Sequence, residues 1–149
     1  MKEVFNTSFE VSLRILIILN IVKIRLSIDR ISALDFISIY GKDFEVSKYN
    51  LHGNNSYRFS EYTSKRFLIS HAIRNLVLMG YIVPYYSKSG FTYSISKTGV
   101  LFCESLNDEY AENYTAIAKK AYIKFLDYSD RKLIDTINAY AISVFGGKK

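Results

Sequence analysis

The chain is 149 residues long, 49% hydrophobic and 23% charged, with a formal net charge of +6. That is enough chain to bury a core without covalent staples, and it is too apolar to be disordered. One cysteine, Cys103, excludes a disulfide framework and points to a reducing cytoplasm.

No secretory leader pattern precedes Thr7, and a helix is expected at once. Thr7 and Glu10 in TSFE form a capping-box pattern. Phe9, Leu13, Leu16, Ile17, Ile21 and Ile24 then recur at intervals of three and four, which predicts a helix over about 7–25. Its segment LRILIILNIVKI is too short for a membrane span, which needs roughly 20 apolar residues. Arg14, Asn20 and Lys23 also interrupt it, so a helix buried on most sides is expected. A second helix follows Ser27, with Ile31, Leu34, Ile37 and Tyr40 on one face and Gly41 as its stop.

Residues 42–62 are polar and turn-rich, with Gly53-Asn54-Asn55-Ser56 at their centre and no period of either kind. A loop this long in a compact domain is usually functional or mobile. A third helix is predicted from about 60 or 63 to Met79, with Phe67, Ile69, Ile73, Leu76 and Val77 inward and Gly80 closing it. YIVPYYSKSGFTYSIS reads as two strands, about 81–86 and 91–96, turning at Ser87–Gly90. Pro84 suggests an edge position in the first of them. Thr98 is expected to cap one long helix over about 99–126, with Leu106, Tyr110, Tyr114, Ile117, Ala121 and Phe125 on its apolar face. A last helix follows Ser129, with Leu133, Ile137, Tyr140 and Val144 as its stripe.

Three helices ending in a two-stranded wing, then two more helices, give a mainly α fold with a small β-hairpin. The expectation is a winged helix-turn-helix with two additional C-terminal helices. It forms one domain over 1–149, with a core of about 7–103 and a helical extension of about 104–149.

The charge is unevenly spread. Residues 46–103 hold Lys48, Arg58, Lys65, Arg66, Arg74, Lys88 and Lys97 against one acid, Glu61, whereas the flanking segments are balanced. Winged helices that read DNA lay the third helix in the major groove and set the wing on phosphate or in the minor groove. Arg58, Lys65, Arg66, Arg74, Lys88 and Lys97 are therefore the candidate nucleic-acid contacts. The same face would also suit an acidic protein surface, or serve solubility alone.

Nothing in the sequence supports an enzyme. His52 and His71, with Cys103, lack the spacing of a metal site. His52 is expected to brace its loop through a backbone hydrogen bond, and His71 to lie on the polar shoulder of the third helix. Cys103 has no activating base beside it in sequence and reads as a small hydrophobe. Phosphate-cradling glycine motifs are missing, so no cofactor is expected.

The opening FNTSFEVSLRILIILN, the segment LSIDRISALDFISIYGKDF, the loop NLHGNNSYRFSEY and the stretch SKTGVLFCESL together resemble one bacterial family over nearly the whole chain. These are the small middle components of three-component ABC-ATPase conflict systems, the Lamassu-like antiviral islands. The resemblance implies a winged-helix accessory subunit set between an SMC-like ABC ATPase and an effector, often a nuclease. It carries over no catalytic motif. The irregular loop, through Leu51, His52, Tyr57 and Phe59, is the expected partner interface, because an ordered insertion of that length needs something to pack on; a self-packed surface loop is the other reading. A free-standing winged-helix DNA-binding regulator is the alternative.

Overall fold

The computed structural model describes residues 7–53 and 58–146, and side chains from 62 to 143 in the second stretch. The elements are α1 (Ser8–Val22), α2 (Ile28–Ile39), α3 (Arg58–Leu78), β1 (Ile82–Ser87), β2 (Gly90–Ile95), α4 (Lys97–Glu104), α5 (Glu109–Lys124) and α6 (Asp130–Gly146).

Thr7 caps α1, its hydroxyl accepting from the Glu10 N–H at 3.2 Å. The helix is buried on most sides, from Val11 through Val22, and Arg14 lies among the buried residues. It ends at Lys23, which takes the left-handed conformation (φ 56°) and returns its N–H to the Leu19 carbonyl. Ser27 caps α2 in the same manner. Arg30 then ties the start of α2 to the start of α6, pairing with Asp130 at 3.3 Å and donating to the Tyr128 carbonyl.

Helices α1 and α2 form the middle of the molecule. Each packs against α3 and against α5, while α3 and α5 have at most marginal contact with one another. The core runs through both sides: Ile69, Ile73 and Leu76 of α3 and Tyr114, Ile117 and Ala121 of α5 are all buried on the α1/α2 layer. Phe67 corrects the expected phase of α3. It lies 73% exposed, and Lys65 takes the inward place instead.

The hairpin pairs Ile82 with Ile95 through Ser87 with Gly90, the tight turn being Lys88-Ser89. On its other side β2 meets a single residue, Leu26, through reciprocal Leu26–Tyr93 hydrogen bonds of 2.9 and 2.8 Å. Because Tyr93 spends its N–H and C=O on Leu26, its partner across the hairpin, Pro84, needs no ladder bond. Strand β1 is thus an edge strand, and its proline sits where a missing N–H costs nothing.

The single long helix expected over 99–126 is two helices. Ser96, not Thr98, caps the first, accepting from the Gly99 N–H at 3.1 Å. Ser105, Asn107 and Asp108 then break the run, since short polar side chains compete with the helical backbone. Asp108, in extended conformation, begins α5.

Candidate functional site

Two groups of polar residues stand out, one sealed in the core and one on the surface of α3 and the hairpin. In the core, Arg14 of α1 and Asp35 of α2 form a two-point pair, Nε to Oδ1 at 2.8 Å and Nη2 to Oδ2 at 3.3 Å, both side chains essentially inaccessible. Tyr114 of α5 donates its hydroxyl to the same Asp35 Oδ1 at 2.6 Å. Arg14 Nη1 reaches the Tyr110 hydroxyl at 3.5 Å, and that hydroxyl lies 2.8 Å from His52 Nε2.

Electrostatics fixes the protonation of each member. Burial disfavours the Asp35 carboxylate, but Arg14 and Lys65 outweigh it and hold the carboxyl below its ordinary value. Burial also opposes the Arg14 charge, yet Asp35 drives its pKa up. Burial and the Asp35 charge raise Tyr114, and burial pushes Tyr110 up to about 12, so both stay protonated. Burial, with Arg14 and Lys65 nearby, takes His52 down to about 3. Neutral His52 therefore shares a hydrogen bond with the Tyr110 hydroxyl, its direction set by the imidazole tautomer, and that hydroxyl accepts from Arg14. His52 thus braces its segment on α5 through its side-chain bond to Tyr110.

The surface group differs from the expected basic face. Lys65 is 3% exposed and leaves the set of nucleic-acid candidates, because the helix phase turns it into the core, where its charge acts on Asp35. Arg66 is half exposed and pairs with Asp29 of α2 at 2.7 Å. Arg74 is exposed and lines a groove of about 330 Å³ between α3 and the hairpin, floored by Ile73, Val77 and Tyr93 and walled by Pro84 and Phe91. Lys88 and Lys97 are exposed at the tip and base of the hairpin and do not line that groove. Arg58 opens α3, and its side chain lies outside the described residues.

Of the expected interface residues, Leu51 packs against the core and gives its N–H to the Ile39 carbonyl at 2.8 Å. His52 turns to Tyr110, so both anchor the segment instead of presenting it. Tyr57 and the Phe59 side chain lie outside the described residues. Arg25, which carried no expectation, stacks its guanidinium 3.7 Å over the Tyr85 ring on the hairpin.

The surface also exposes hydrocarbon. Leu78 at the end of α3 is 77% exposed, and Met79, Tyr86 and Phe91 are also largely in water. Leu78 lines the hairpin groove and also a second, more apolar groove of about 470 Å³ between α1, α3 and α4, where Phe9, Leu13, Met79 and Phe102 meet it. Two apolar grooves thus share one exposed ridge.

The sequence profile of one family, ABC-three component (ABC-3C) system Middle Component 2, matches residues 4–146. The chain belongs to that family. No curated protein and no solved structure matches the chain. Membership makes this middle component one part of a multi-component system, in keeping with an accessory subunit. No helix among the described residues is long and apolar enough to cross a membrane. Among the same residues, no cluster of histidine, cysteine or carboxylate side chains could hold a metal ion. Cys103 is half-buried, and burial pushes its thiol up to about 11, away from nucleophilic chemistry.

Proposed function

We propose that this middle component is a non-catalytic adaptor that holds its partner subunits on the apolar ridge formed by α3 and the hairpin. The observation that carries the reading is Leu78, exposed between two apolar grooves and followed by Met79. Contiguous apolar surface of this kind marks protein interfaces, and aromatic and Met side chains are enriched in their centres. In this reading the partners are an SMC-like ABC ATPase and an effector of a cytoplasmic, Lamassu-like antiviral complex, bridged by the present chain. Its frame is a winged helix, supported by the order α1, α2, α3, hairpin and by the single-residue Leu26–Tyr93 bridge on the other side of β2. The absence of a catalytic role is supported by the core network, whose Arg14, Asp35 and Tyr114 no substrate can reach.

A free-standing DNA-binding regulator is the second reading, favoured by exposed Arg74 on the third helix, with Lys88 at the hairpin tip. Phe67 and Leu78 flank Arg74 along α3 and give that helix as much hydrocarbon as charge, which suits a protein partner better.

Co-expression with the neighbouring genes, followed by size exclusion with light scattering, tests the adaptor. The chain should co-elute with the ABC ATPase. Leu78→Glu should abolish co-elution while the circular dichroism of the isolated chain stays unchanged. Co-elution indifferent to Leu78→Glu would reject the ridge as the interface, and a homodimer that ignores its neighbours would favour the regulator.

A further inference from the structure

Across the α1/α2 layer from that ridge, the segment 40–53 and the second half of α5 enclose an open concavity of about 500 Å³. Lys42, Lys48, Lys120 and Lys124 line it with a single acid, Glu45. Lys42, Lys120 and Lys124 come from segments whose charges balance, and Lys48 from the basic middle of the chain, so only folding brings the four together. Lys120 and Lys124 stand one helical turn apart on α5. Lys124 is partly engaged, donating to the Phe44 carbonyl at 2.7 Å and lying 3.9 Å from Glu45. Among the described residues, Lys42, Lys48 and Lys120 have no acid within ion-pair distance.

The rim is built rigidly. Val46 returns its N–H to the Gly41 carbonyl at 2.8 Å, and the Asn50 side chain accepts from the Lys42 N–H at 2.9 Å. A Cβ on Gly41 would stand 2.8 Å from that of Ser47, so the segment closes only around glycine. Glu45 holds a left-handed conformation (φ 58°) that side chains other than glycine seldom adopt. Lysines near a helix C-terminus complement its dipole, which accounts for Lys120 and Lys124. It does not account for Lys42 and Lys48, which a separate segment delivers to the same hollow.

We infer that this lysine-lined concavity is a sequence-blind site for the phosphate backbone of duplex nucleic acid, distinct from the apolar docking ridge. Four lysines and a single acid in one open hollow complement a dense line of negative charge, and duplex DNA carries about one charge per 1.7 Å of its axis. The lining offers no aromatic platform on which unpaired bases would stack, which disfavours single strands.

The full chain would be titrated into a fluorescein-labelled duplex of arbitrary sequence at about 50 mM salt, followed by anisotropy. Lys48→Glu with Lys120→Glu should weaken binding at least about tenfold, with an unchanged melting curve. Lys48→Ala with Lys120→Ala should flatten the slope of log K against log salt by about 1.8, roughly 0.9 for each lost phosphate contact. Leu78→Glu, which should break partner docking, should leave duplex binding as it was. Unchanged affinity in the charge-reversed chain would overturn the proposal. So would a chain that ignores the duplex at low salt, or one that binds polyglutamate or single strands more tightly than duplex.

Discussion

Lys65 and Arg66 are adjacent on α3, yet one faces the sealed charge cluster of the core and the other the open surface beside the hairpin. Lys65 sits at 3% exposure near Asp35, where water cannot screen it. Arg66, half in solvent, meets Asp29 in an ordinary surface pair. The same charge therefore carries different weight in the two regions. In the core it is part of what fixes the packing of α1, α2, α3 and α5. On the surface it is one polar element in a face that also exposes large apolar side chains, Phe67 and Leu78 among them. Desolvation sets the difference: removing one partner from a buried pair strands the other, whereas a surface charge simply returns to water.

The sharpest break of that contrast is Asp35→Ala. It would leave Arg14, and with it Lys65, without the central carboxylate, and should cost about 3–5 kcal/mol in urea denaturation. Arg14→Met made together with Asp35→Leu should cost much less than the sum of the two single changes, since neither charge is then left buried alone. If the single and double variants were additive, Arg14 and Asp35 would not act as a unit.

This cluster is the part of the molecule least legible in the sequence. The helices, hairpin and caps follow from local pattern, as Thr7, Ser27 and the edge position of Pro84 show. Arg14 instead looked like an interruption of an apolar run, and nothing in the sequence singled out Asp35. Their partners Tyr110 and Tyr114 lie far along the chain, and only tertiary packing brings them together. Phase was the second obscurity. In SKRFLISHAIRNL, placing Phe67 inward is the natural hydrophobic choice, but α3 turns Lys65, Ile69, Ala72, Ile73 and Leu76 to the core. The break between α4 and α5 was in principle readable from Ser105, Asn107 and Asp108. An apolar stripe that runs on through Leu106 and Tyr110 hid it. The lysine concavity was invisible to charge counting by segment, because Lys42, Lys120 and Lys124 come from balanced regions and only Lys48 from the basic middle.

Gly99→Ala separates the regions from the other side. A Cβ there would meet the Tyr81 carbonyl and stand 2.6 Å from Ile95 Cγ1, where α4 supports the base of the hairpin. Overpacking of this kind should cost about 1–3 kcal/mol. The loss should appear with faster hydrogen exchange in β1 and β2, while the amides around Asp35 keep their protection. Equal exposure of both regions would mean that the hairpin and the core cluster open together.

His52 distinguishes the cluster by pH. In the unfolded chain its imidazole titrates near 6.5, whereas in the folded protein burial and the Arg14 and Lys65 charges hold it to about 3. Between those values the unfolded state carries the extra proton, so stability falls as pH falls through that window and is insensitive to this group above it. The slope from this one residue reaches at most about 1.4 kcal/mol per pH unit. His52→Gln, which retains a hydrogen-bonding group for the Tyr110 hydroxyl, should lower the slope between about pH 6 and pH 4 by up to that amount. A profile identical to that of the parent chain would show that His52 is solvated in solution.

The smallest effect belongs to the surface side of the comparison. Arg66→Ala removes the 2.7 Å pair with Asp29, but both side chains are nearly half exposed. Such pairs contribute about 0–1 kcal/mol and weaken with salt. The expected loss is therefore under about 1 kcal/mol in denaturation at low ionic strength, vanishing at about 1 M salt, where the screening length is about 3 Å. A loss that persisted at high salt would show that Arg66 acts through its aliphatic stem, packed against α2, rather than through its charge. Arg66 would then behave like its neighbour Lys65, as part of the core boundary, and Arg74 would remain as the basic side chain lining the hairpin groove.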